Sequence, residues 1–181
     1  MNRNGLGRLF LIAFFGIIII LSFGFVIWNF GGEKIAFRLG IGEQVKIYKY
    51  SSYQWRGQED YIKHKVEELI IISRELGIFD ESILPIQLSV RSLNRIRSVA
   101  GAERTRFKSY IVFDNKHLEM IGREDLDGDI VHEFSHLLDW DKGHTLIWKT
   151  NCRLLFDKTI SKKRELSNFN SWIIRSDPCM E

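Results

Sequence analysis

The stretch "DIVHEFSHLLDWDKGHTLIW", Asp129 to Trp148, places three of the chain's five histidines within a few turns of chain. Ile130, Val131, Phe134, Leu137 and Leu138 recur at helical spacing and give the run a broad apolar face. Asp127 or Asp129 suits the cap of such a helix, and Gly143 is expected to lie beyond its end. On that helix His132 and His136 lie one turn apart on the same side, so both imidazoles can reach one ion. Zinc takes imidazole nitrogens at about 2.0–2.1 Å and favours four ligands, so two histidines need a third. His144 is the preferred third ligand, because Gly143 lets the chain reverse and imidazole is the commonest metal ligand. Glu165 is the downstream alternative. Glu133, beside the first histidine, is placed to act as general base rather than as ligand: it can take a proton from zinc-bound water and return one to a leaving amine. The plainer alternative is a helix whose histidines are packed or solvated.

Upstream, "QEDYIKHKVEELIIISRELG" predicts a second helix, with acidic residues early and Gly77 at its end. His64 within it sits among lysines on a solvated face. "QVKIYKY" alternates as a half-buried strand does, while "LPIQLSV" and "SYIVFD" with "HLEMI" read as further strands separated by polar turns. His117, beside a turn at Asp114-Asn115, has no ligand-spaced neighbour and is read as a surface residue. Between the strands, "RSLNRIRSVAGAERTRFK" carries Arg91, Arg95, Arg97, Arg104, Arg106 and Lys108 against Glu103 alone. Such a segment can meet phosphates, but a solvated loop and an edge strand guarded by charge is the favoured reading. Downstream, a helix is expected from about Thr145 through "LIWKTNCRLLFDK", then a partly amphipathic helix and a loose end.

The chain has 181 residues and a formal net charge of +3, enough for one domain with a real core. Its apolar residues are unevenly spread. "LFLIAFFGIIIILSFGFVIW", Leu9 to Trp28, has no charged residue and predicts a transmembrane helix. The run is longer than a signal h-region and no small-x-small site follows it, so a retained signal-anchor is favoured over a cleaved signal, with Trp28 and Phe30 at the interface. Arg3 and Arg8 on the N-terminal side favour a cytoplasmic N-terminus and an extracytoplasmic domain, although the Lys/Arg count beyond the run slightly favours the reverse. Cys152 and Cys179 would form one disulfide outside the cytoplasm and remain thiols inside it. No CxxC pair exists, which excludes a zinc ribbon.

"VHEFSHLL" followed by "GHTLIW" resembles the zinc metallopeptidase core of SprT-like domains, in which HExxH precedes a Gly-His step and an aromatic residue. "LSVRSLNRIRSVAGAER" is similar to that family's strand-turn-strand. The resemblance runs from about Tyr61 to Phe156, with the "LLDWDK" spacer before Gly143 shorter than is usual there. It implies a small gluzincin-like fold, zinc on His132, His136 and His144, Glu133 as general base, and Trp148 packed near the site. Asp139 or Asp141 could orient a ligand histidine, and Tyr110 or a nearby arginine could stabilise an oxyanion.

The expected architecture is therefore α+β, helices on a small sheet plus one N-terminal transmembrane helix. Its parts would be a tail at 1–8, a signal-anchor at 9–29, a juxtamembrane connector or small sheet at 30–57, and a metallopeptidase-like domain at 58–181. The expected function is a single-pass membrane zinc metallopeptidase acting on a protein or peptide substrate. The alternatives are a non-catalytic, zinc-stapled binding module, and a cytoplasmic-facing protease acting on nucleic-acid-associated proteins through the 91–108 segment.

Overall fold

The N-terminal apolar run lies within one long helix, α1 (Arg3–Arg38), in the computed structural model of the chain. The structure describes residues 3–49, 54–93, 99–139, 143–161 and Cys179. It divides into two compact units, 1–42 and 43–181, and α1 belongs to the first. Among the described residues no helix is long and apolar enough to cross a membrane. This corrects both the transmembrane signal-anchor expected over 9–29 and the single-pass localisation with an extracytoplasmic domain. Helix α1 continues through Glu33 and Lys34 to Arg38. The side chains of Trp28 and Phe30, expected as interfacial anchors, lie outside those described.

The second unit begins with strand β1 (Val45–Tyr48), so these residues of the 30–57 region belong to a sheet. Helix α2 (Glu59–Glu75) follows, with Ile62, Val66, Leu69 and Ile70 at helical spacing and each at most 1% exposed. It stops where Gly77 takes a φ of +70°, a conformation glycine adopts without a Cβ clash. Strand β2 (Ile86–Arg91) then lies parallel to β1, with α2 as the crossover that parallel neighbours require. β3 (Ala100–Arg104) and β4 (Ser109–Asp114) form an antiparallel hairpin, closed by Thr105 N–H on the Lys108 carbonyl at 2.7 Å. β4 is parallel to β2, and the order β1-β2-β4-β3 leaves β3 at an edge.

The segment containing "HLEM", expected among the strands, is instead helix α3 (Asn115–Met120). Asp114 causes this: its carboxylate accepts the backbone N–H groups of Lys116 at 3.0 Å and His117 at 3.1 Å, an N-cap that outweighs local strand preference. Helix α4 (Arg123–Leu138) starts after Gly122, a turn earlier than expected, so Asp127 and Asp129 lie inside it rather than capping it. Asp127 is buried and accepts the Tyr61 hydroxyl, with the buried Lys65 ammonium 3.9 Å away, which ties α4 to α2 through a polar cluster. Helix α5 (Leu146–Phe156) begins at Thr145, whose Oγ1 accepts the Trp148 N–H at 3.0 Å. A single π-helical turn, Asp157–Ser161, continues it, and a disulfide joins Cys152 to Cys179.

The packing follows from these faces. α2 lies against β1, α4 against β3 and β4, and α5 against α4. Leu88, Ile111, Phe113, Ile130, Phe134, Trp148 and Leu155 form the centre, none more than 1% exposed. Helices on a four-stranded mixed sheet give the α+β layout read from the sequence. Truncating Phe134 to alanine at this centre is expected to cost about 3–5 kcal/mol. The denaturation midpoint of Phe134→Ala should therefore drop well below that of Ile71→Ala, whose side chain is exposed. Equal midpoints would contradict the packing described.

Candidate metal centre

His132 and His136 project from one side of α4, and the chain beyond α4 returns His144 to them. The Nε2 atoms of His132 and His136 are 3.3 Å apart. Two nitrogens held at 2.0–2.1 Å on a tetrahedral ion stand about 3.3–3.4 Å apart, so this pair already has metal-ligand spacing. One ring nitrogen from each of the three histidines lies within 4.8 Å of the others, and His144 is the exposed member. Imidazole binds an ion only through a deprotonated nitrogen. Burial pushes the His136 pKa down to about 4, with the neighbouring His132 and His144 adding to the effect and Asp139 opposing it. His136 is thus neutral at ordinary pH, with a lone pair available. The donor set suits zinc and other imidazole-binding divalent metals alike.

Trp148 forms the floor of this cluster. Its ring is fully buried, with centroids 4.2 Å from His144, 4.8 Å from His132 and 5.0 Å from His136. Gly143 has a φ of +109°, which a side chain would strain, and this is where the chain turns to deliver His144. The turn comes five residues after α4 ends at Leu138, and Trp140 to Lys142 of the short spacer lie outside the described residues. The last turn of α4 is braced by Arg104 of β3. Its guanidinium donates to the Leu137 carbonyl at 3.0 Å and to Ser82 Oγ at 2.8 Å, and it pairs with Asp80.

Glu133, the residue after His132 on α4, faces β3 and is 7% exposed. Burial, then the Asp129 carboxylate one turn before it, push its pKa up to about 8, while the Ala102 backbone N–H of β3 pulls the other way. Asp129 also meets His117 of α3, Nε2 to Oδ2 at 2.6 Å. His117, read from the sequence as a surface residue, is therefore held against the glutamate-bearing helix, and no local spacing in the sequence signals that pairing.

Other expected site residues are placed elsewhere. Tyr110 gives its hydroxyl to Glu103, its partner across the β3–β4 pair, and burial pushes its pKa up to about 12. Side chains alternate along a strand, so Tyr110 and Glu103 lie on the sheet face opposite Arg104, which reaches α4. That removes Tyr110 as an oxyanion donor. Arg104, counted in the basic segment, is turned inward, its side chain only 3% exposed, while Arg91, Arg106 and Lys108 are exposed. Asp139 accepts the Thr145 hydroxyl. His64 is exposed, as expected. Arg95, Arg97, Asp141 and Glu165 lie outside the described residues. Comparison with protein-family models, curated proteins and solved structures found no significant match.

The two shifted groups set a pH signature for the metal-free chain. Between 4.5 and about 8 the folded state holds a proton on Glu133 that the unfolded state has lost, so stability falls as pH rises through that window. His136 acts oppositely: between about 4 and 6.5 the unfolded state binds the extra proton, so stability rises with pH. Above 6.5 only the Glu133 effect remains. Denaturation in the presence of a chelator should show stability declining from pH 6.5 to 8, and Glu133→Gln should flatten that decline. An identical slope in both proteins would contradict the burial of this carboxyl.

Proposed function

We propose that this chain is a zinc-dependent metallopeptidase that hydrolyses peptide bonds in a protein or peptide substrate. His132, His136 and His144 are the zinc ligands and Glu133 is the proton carrier. The observation that carries this reading is the convergence of three imidazoles, with 3.3 Å between the two nitrogens borne by the helix that also carries the buried Glu133. The resemblance of "VHEFSHLL" and "GHTLIW" to the SprT-like core supports the same assignment.

When bound, zinc would polarise the scissile carbonyl, lower the pKa of water at the site towards about 7, and favour the ionised form of Glu133. Glu133 takes a proton from the attacking water and delivers it to the nitrogen of the breaking peptide bond, giving a carboxylic acid and an amine. The Ala102 N–H steadies its carboxylate, and burial keeps competing solvent away from it. Trp148 limits rotation of the ligand rings from below, and the exposed His144 marks the side from which substrate enters.

Metal analysis and hydrolysis of a fluorescently labelled unfolded protein test this together. Glu133→Gln is expected to keep one equivalent of zinc while losing roughly 10²–10⁴ in rate. His144→Ala is expected to lose both. Undiminished zinc in His144→Ala would remove it as a ligand, and undiminished hydrolysis in Glu133→Gln would overturn the mechanism.

A further inference from the structure

We infer that Asp139 and Thr145 are positioning residues that hold His144 at the metal. The inference rests on the triad binding a metal, and it adds what fixes the third ligand. His132 and His136 need no such device, because one helix carries both. His144 lies on a return segment that leaves α4 at Leu138 and re-enters helix at Leu146. The two ends of that segment are joined by one hydroxyl. Thr145 Oγ1 donates to the carboxylate of Asp139, which is 6% exposed, and accepts the backbone N–H of Trp148 at 3.0 Å. The residue after His144 is thereby pinned to the end of the helix that carries His136, and to the first turn of α5. That same turn sets the Trp148 ring 4.2 Å from the His144 ring. A hydroxyl is required on both counts, since it must donate and accept at once. Asp139 supplies a buried acceptor three residues beyond His136.

A purely structural clasp would support α5 and leave the metal untouched, so the test reads metal affinity and coordination apart from folding. In the full-length chain, zinc affinity is measured by competition with a chromophoric chelator, and the visible spectrum of the cobalt(II) form reports coordination. Thr145→Val, which keeps the shape and deletes the hydroxyl, is expected to weaken zinc binding roughly 10–100-fold and alter the cobalt bands. Thr145→Ser is expected to restore both. Wild-type affinity and spectrum in a folded Thr145→Val would overturn the inference, as would failure of serine to rescue. If Thr145→Val loses its near-ultraviolet circular dichroism, Asp139→Asn takes its place, and unweakened zinc binding there overturns the inference equally. A wild-type chain that binds neither zinc nor cobalt instead removes the metal reading, and the clasp's role with it.

Discussion

Everything at the candidate centre depends on α4 being buried on two sides at once. The sheet strands β3 and β4 cover one side and α5 another, which puts Ile130, Phe134 and Leu137 at 0–1% exposure. A helix so clamped cannot slide or rotate without opening the core. The polar groups left on it, Asp129, His132, Glu133 and His136, are therefore fixed relative to one another and partly stripped of water. Fixed spacing gives His132 and His136 a shared focus. Loss of water moves proton affinity in opposite directions for an acid and a base, keeping His136 neutral and Glu133 protonated in the metal-free chain. The spacing of the two imidazoles and the shifted proton affinities thus have one origin, the hydrophobic packing of a single helix.

What could be read from the sequence was local. The periodicity of Ile62, Val66, Leu69 and Ile70 marks α2, Gly77 its end, and Thr145 the start of α5, because each depends on residues within a turn or two. The i,i+4 histidines and the Gly143 turn are local in the same sense, and their geometry follows from them. What could not be read depends on partners far along the chain. His117 meets Asp129, Arg104 meets Asp80 and the Leu137 carbonyl, and Lys65 is buried beside Asp127 although it belongs to a lysine-rich stretch. None of these pairings leaves a periodic mark.

Two further departures from the sequence pattern lie in α3 and α1. One Asp side chain at position 114 turns the residues after β4 into α3, because two satisfied N–H groups count for more than the strand preference of a short segment. In α1 an apolar run predicts a membrane span, yet among the described residues no helix is long and apolar enough to cross one, and this helix continues through Glu33 and Lys34 to Arg38.

The bond between Cys152 and Cys179 has a consequence for how a proteolytic cut in the chain would show itself. It closes the chain between those two positions into a covalent ring. A single nick anywhere inside that ring leaves the fragment ending in residue 179 and beyond attached to α5. Such a molecule holds its fragments together until reductant is added, and then separates into two pieces. Intact and clipped forms are therefore indistinguishable by size under oxidising conditions, and an apparently whole preparation can already be cut.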